Sequence, residues 1–369
     1  MRTSLIVLLL ALTLRGMAWQ KQGREGARPA PWKSSALMHE GRASHSATLL
    51  MDGRVLIAGG FDRSDDGRGQ SYLQSAELYD PRTQKFTPAG GMNYARAGHT
   101  ATLLQNGTVL VAGGFAGMGA LSSAELFDPA TETFTQISSM KVRRGGGTAT
   151  LLLDGRVLFC GGGDREPTTT AELFEPRTKS FELTGTMSFP RTAHTATRLP
   201  GGMVLVVGGS SHQYSVLGSA EMFDPARGGF LQASTLNVPR YHHAAAAMND
   251  GSVLVVGGAD QRDWQGQLSA VERYTLSTGR FVPLAALQHA RFKLSDAIIG
   301  FEDGTFLIAG GNAAVESFSP ATGISTVVGT LDRPYYYATA TFLSDGAVLI
   351  AGGYDESLRA TNKAWIWRK

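Results

Sequence analysis

Cysteine is almost missing from this chain: Cys160 is the only one in 369 residues. With a single thiol no intramolecular disulfide forms, even in an oxidising compartment. Charge of one sign is also missing, since 34 Lys+Arg face 31 Asp+Glu and no long basic run occurs. That excludes the clustered positive footprint of a nucleic-acid surface. Helical patterning is absent too. No segment beyond the first residues sustains a 3.6-residue apolar period, so helix is expected to be nearly lacking. The apolar run at the start, Leu5 to Leu14, is too short to span a bilayer.

That run does have the layout of an export signal. Arg2 precedes it, and Gly16-Met17-Ala18 places small residues where cleavage would fall. The expectation is a signal peptide at 1–18, a linker at 19–29 and one domain at 30–369, in a secreted or periplasmic protein. The alternative is an uncleaved N-terminal anchor. After signal removal no membrane span is expected.

What the chain has in abundance is glycine, 46 residues of it, and the glycines recur in pairs. DGRVLIAGG ends at Gly60, NGTVLVAGG at Gly114, DGRVLFCGG at Gly162 and GGMVLVVGG at Gly209. DGSVLVVGG, DGTFLIAGG and DGAVLIAGG follow, ending at Gly258, Gly311 and Gly353. The successive spacings are 54, 48, 47, 49, 53 and 42 residues. Such a period means seven copies of one supersecondary unit. Within each unit a Ser46-to-Leu50-like alternation leads through an Asp-Gly or Asn-Gly turn into an apolar strand, a strong hairpin signal. A SAELYDP-like strand and a short strand opening on an aromatic follow, giving four strands per unit.

The Gly-Gly pairs, the SAE(L/M)(Y/F)(D/E)P stretches at 75–81, 123–129, 170–176 and 219–225, and an Arg-x-x-His step resemble bacterial kelch-repeat proteins over residues 30 to 369. The Trp-Asp signature of the other common propeller repeat is absent. The resemblance implies an all-β, seven-bladed kelch propeller, like the central domain of galactose oxidase. Its last unit ends without a fourth strand after Ala364-Trp365-Ile366-Trp367. Trp32, Met38, Arg42 and His45 have the spacing of Phe86, Met92, Arg96 and His99. Residues from Trp32 are therefore expected to close the ring as the outer strand of the final blade, which leaves only short edges.

Repeat-locked charges are expected to be structural. Arg42, Arg96, Arg144, Arg191, Arg240, Arg291 and Arg333 fall near the start of each first strand. Glu77, Glu125, Glu172, Glu221, Glu272 and Glu316 recur alongside, as inter-strand partners would. An anion-binding ring of arginines at the central channel is the competing reading. His45, His99, His194 and His243 recur likewise, with Gly147, Asp296 and Ala338 in their place on the other blades when aligned on the turn glycine. Four histidines on four blades are too dispersed for one metal. Galactose oxidase uses copper and a cysteine–tyrosine cross-link, but Cys160 takes the slot of Ala58, Ala112 and Val207, a small packing position. Asp62 to Gly67 opens like a calcium loop, yet position twelve is Leu73. No metal, cofactor or catalytic residue is assigned.

Departures from the repeat are where function is sought, since no shared fold contact dictates them. They gather in the loops of blades four to seven: aromatics such as Phe292, Tyr335 and Tyr337, with polar neighbours including Asp260, Asp263 and Gln265. Tyr214, Tyr241, His242, Trp264, Lys293, Tyr336 and Tyr354 are the candidate ligand-binding residues. Aromatics with polar tips suit a glycan or a peptide, and ordinary blade packing is the alternative. The leading expectation is an exported, monomeric binding module for a glycan or protein ligand. A carbohydrate-active enzyme of oxidase, lyase or epimerase type on the same face is the runner-up, with His242, Asp260, Asp263 and Lys293 as its titratable groups. A structural surface protein is the third reading.

Overall fold

The computed structural model describes residues 32–34, 36–63, 69–117, 119–294 and 296–369. The expected signal peptide and linker lie outside the described residues, as do 64–68 of the calcium-like stretch. Pro31–Lys369 forms one compact unit. Among the described residues no helix is long and apolar enough to cross a membrane, and helix amounts to two single 3-10 turns, His212–Tyr214 and Asp263–Gln265.

Seven four-stranded antiparallel sheets account for almost all the strands, the rest being two small hairpins in the loops of blades 1 and 2. Blade 1 sets the pattern: Ser46–Leu49, Val55–Ala58, Ala76–Asp80 and Lys85–Ala89, in that order across the sheet. The second strand of every blade is apolar at successive positions because both of its faces are covered. Val55 and Ile57 pack toward Leu349 and Ile366 of blade 7, while Leu56 and Ala58 pack toward Val109 and Val111 of blade 2. Each pair of neighbouring blades shares one such core, and the pair formed by blades 7 and 1 does so as well. In blade 7, Trp32–Ser34 pairs antiparallel with Ala364–Trp367, with Trp32 opposite Trp367.

The Gly-Gly pairs lie where each blade's second strand meets the next blade. Gly59 has φ +61°, and a Cβ there would approach the Arg96 carbonyl oxygen to 2.5 Å. The Gly60 N–H donates to that same carbonyl at 2.8 Å. A side chain on Gly59 would push against the next blade, and one on Gly60 would meet the Ala43 carbonyl oxygen at 2.8 Å and His45 Cβ at 2.9 Å in its own blade, which is why the pair recurs.

The repeat-locked charges are internal. Arg42–Glu77, Arg96–Glu125, Arg144–Glu172, Arg191–Glu221, Arg240–Glu272 and Arg291–Glu316 pair at 2.5–2.9 Å, all buried. Each guanidinium also donates to backbone carbonyls: Arg96 to Gly113 at 2.7 Å and to Ser123 at 3.1 Å. These arginines brace strands and do not rim a channel. Arg333 is not one of them. It is exposed and pairs with Asp355, while Tyr335 holds the arginine position of blade 7. The Arg-containing triplet of blade 7 is offset by two residues, which a motif-based alignment does not register.

The histidines bridge blades. His45 Nε2 lies 3.1 Å from Thr339 Oγ1, His99 2.9 Å from Ser46 Oγ, His194 3.1 Å from Thr148 Oγ1 and His243 2.9 Å from Thr195 Oγ1. Burial holds all four neutral: His45, His99 and His194 are pushed down to about 3 and His243 well below its usual value. In blade 6 the equivalent residue is Leu294, not Asp296. A Cβ on Gly257 would meet Leu294 Cδ1 at 2.8 Å, as one on Gly59 would meet His99 Cε1 at 2.9 Å. Blade 6 has two extra residues between its Arg and its first strand, which displaces the alignment. Cys160 is fully buried beside Thr148, and burial raises its thiol pKa.

Candidate functional site

Two residues after each arginine position, the chain turns through the left-handed region. The seven residues are Ser44, Gly98, Gly146, Ala193, His242, Lys293 and Tyr337, with φ between +51° and +67°. Each N–H donates to the carbonyl of the preceding blade's residue: Gly98 to Ser44, Gly146 to Gly98, Ala193 to Gly146, His242 to Ala193, Lys293 to His242 and Tyr337 to Lys293. Ser44 donates to Tyr337 and closes the ring, the seven distances running from 2.8 to 3.3 Å. A non-glycine residue in this conformation is strained by roughly 1 kcal/mol. Five of the seven are not glycine.

The ring is lopsided. Blades 1 to 4 place nothing larger than a hydroxymethyl on it, whereas blades 5 to 7 place an imidazole, an amine and a phenol. Around those three gathers a cluster of aromatic rings drawn from Phe61, Tyr241, Phe292, Tyr336, Tyr337 and Tyr354. Trp264, carried by the Asp263–Gln265 turn, covers part of it. Its ring centroid is 4.8 Å from Phe292 and 4.7 Å from Tyr336, both edge-on, and the side chain is 41% exposed. On the opposite flank, Phe115 occupies the space a side chain at position 145 would need: a Cβ on Gly145 would lie 2.4 Å from its ring.

Lys293 is half-buried among four of these rings. Its Nζ lies 4.2 Å from the centroid of Trp264, 4.8 Å from Phe292, 5.4 Å from Tyr354 and 5.7 Å from Tyr337. It donates to Tyr354 Oη at 2.7 Å. No described carboxylate lies within ion-pairing distance, so burial outweighs the charge of Asp263 and lowers the ammonium to about 8. Tyr337 Oη lies 3.1 Å from His242 Nε2, and the Tyr241 hydroxyl donates to Asp263. Burial holds His242 neutral, down to about 3, and raises the phenols of Tyr241, Tyr337 and Tyr354.

Of the candidate residues, Tyr241, His242, Trp264, Lys293, Tyr336 and Tyr354 come together here. Tyr336 and Tyr354 are only 4% exposed each and back the cluster from beneath, so Tyr336 is not the surface aromatic that its loop position suggested. The Tyr214 side chain lies outside the described residues. Asp260 pairs with Arg262 on the same loop, where its carbonyl accepts from the Asp263 N–H. Tyr337 and Asp263, expected only among the loop aromatics and polar neighbours of this face, belong to the cluster as well. The register two residues past the aligned arginine marks His242 and Lys293 as the large residues, and the two-residue offset of blade 7 hides Tyr337 from it.

Seven antiparallel four-stranded blades around one axis, with this cluster at the axial mouth, define a closed β-propeller. The Kelch motif matches residues 42–93 and 95–141. Together with the Gly-Gly step in all seven blades, these matches support a kelch-type propeller fold. It is similar to human Kelch-like protein 34, 35% identical over 88 residues, which are 24% of this chain and 13% of that protein. The chain therefore matches only a small part of that relative's length. It also shares its fold with a novel fungal alcohol oxidase with catalytic diversity among the AA5 family, in complex with copper. There the TM-score is 0.74 at 17% identity, over 91% of this chain and 76% of that one.

Proposed function

We propose that the protein is a glycan-binding module whose ligand docks on the loop-lined face of blades 5 to 7. The observation that carries this is the exposed Trp264 ring, held edge-on by Phe292 and Tyr336. A pre-organised indole offers a flat apolar surface for the C–H face of a sugar. Gln265 and Arg262, both exposed on the same loop, supply hydroxyl partners at its rim. Export of the module is part of the proposal, supported by Arg2 and the Leu5–Leu14 run. N-terminal sequencing of the protein recovered from its host, together with the fraction in which it is found, tests that part: recovery from the cytosol with an intact Met1 overturns it.

A carbohydrate-active enzyme on the same face is the second reading, favoured by the shared fold with an alcohol oxidase. The side chains here do not suit copper. Among the described residues no group of three or more His, Cys, Asp or Glu could hold a metal ion. His242 is the cluster's one imidazole, already engaged by Tyr337, and the surrounding phenols are held protonated.

A glycan array probed with the purified protein, followed by titration of the best hit, tests the binding reading. Trp264→Ala should weaken that hit by about ten-fold or more and leave the melting temperature nearly unchanged. Binding only to peptides or proteins, or an unchanged affinity in the variant, overturns it.

A further inference from the structure

The mouth of the ring is chemically one-sided. All seven ring residues are partly exposed at the axis. Ser44, Gly98, Gly146 and Ala193 carry no long side chain of their own, with the Phe115 ring lying against Gly98 and Gly146, and Lys293 stands on the other half. Its amine has a hydroxyl partner, Tyr354, at 2.7 Å, and aromatic faces elsewhere. Asp263, the carboxylate whose charge favours the ammonium, is engaged by the Tyr241 hydroxyl. A lysine whose partners are a phenol and ring faces has lost most of the water that stabilises its charged form. The neutral amine is a nucleophile toward carbonyl carbon.

We propose that Lys293 captures a small aldehyde as an imine at the axial mouth. The amine lone pair forms the N–C bond while the carbonyl π pair moves to oxygen. An N–H proton passes to that oxygen through the Tyr354 hydroxyl, which accepts from Nζ and donates its own proton onward. The resulting carbinolamine then breaks its C–O bond. Water leaves with the second N–H proton, and C=N forms. No oxidation or reduction occurs and no co-reactant is consumed. Tyr354 stays protonated at neutral pH because burial raises its phenol, so it has a proton to pass. The step does not require the ligand to be a sugar, so it stands or falls independently of glycan docking at Trp264.

The test uses the purified full chain with propanal or benzaldehyde at pH 7.5, with borohydride reducing any imine to a stable secondary amine. Peptide mapping then compares Lys293 with Lys85, Lys141 and Lys179, which are exposed. Lys293 should be alkylated at least about ten-fold faster than those three, with a rate that rises through a midpoint near pH 8. Tyr354→Phe should slow trapping at Lys293 while leaving the exposed lysines unchanged, and Lys293→Arg should abolish the fast adduct. Alkylation of Lys293 no faster than the exposed lysines overturns the proposal. So does a fast adduct that persists in Lys293→Arg. Because the mapping is done on the unaltered protein, it decides the matter even where a variant fails to fold.

Discussion

Tyr335 packs at a tilt against Trp365, with ring centroids 5.2 Å apart, in the position where six other blades hold a buried Arg–Glu pair. Trp365 sits opposite Ile350 on the neighbouring strand, as Glu77 sits opposite Ile57. An aromatic contact thus replaces an ion pair at a slot where both partners must change together. Tyr335→Arg alone buries an unpaired guanidinium and should destabilise the fold by about 3 kcal/mol. Adding Trp365→Glu should restore at least about 1 kcal/mol of that loss. Denaturant midpoints of the two singles and the double measure this coupling. Strict additivity would show that the slots are not equivalent.

The axial ring yields a second prediction. Ala193 has φ +51° in a register where Gly98 and Gly146 occupy the same region without strain. Ala193→Gly should therefore raise stability by about 0.5 kcal/mol, while Gly98→Ala should lower it by about 1 kcal/mol. Chemical denaturation checks both signs, and a destabilised Ala193→Gly would argue that the methyl packs usefully.

Acid should unfold the protein through its inter-blade imidazoles. In the folded state His45, His99 and His194 resist protonation until about pH 3, whereas unfolded histidines accept protons near 6.5. The unfolded state binds more protons between those values. Their contribution is therefore complete above pH 6.5 and is lost as pH falls toward 3, at on the order of 1 kcal/mol per histidine per pH unit. Urea midpoints from pH 7 to 4 should fall steadily, and His99→Gln should flatten the slope. An unchanged slope in that variant would remove His99 from the account.

Removal of the chain up to residue 35 takes away the register of Trp32, Lys33 and Ser34 against Trp367, Ile366 and Trp365. Two or three backbone hydrogen bonds go with it, a loss of about 2–3 kcal/mol. The outer edge of Ala364–Trp367 is then bare, and an unpaired apolar edge invites self-association. A lower melting temperature with new oligomers in light scattering is the expected outcome. Unchanged melting and a monodisperse solution would mean that the terminal strand does not clasp the ring.

The sequence by itself determined the blade count, the apolar second strands, the Gly-Gly step and the pairing of Arg with Glu. Each was legible because a contact required by every blade is written seven times, at a fixed distance along the chain. The slot of Cys160 was legible for the same reason, by comparison with Ala58 and Ala112. Tertiary structure alone decided the rest. Leu294 rather than Asp296 faces Gly257 because two added residues are absorbed before the first strand of blade 6. Tyr335 rather than Arg333 fills the slot of blade 7 because its partner is Trp365, 30 residues downstream. Trp264, Lys293, Tyr337 and Tyr354 meet only because three blades bring their loops to one axis. Such contacts join residues far apart in sequence and occur once, so no local period records them.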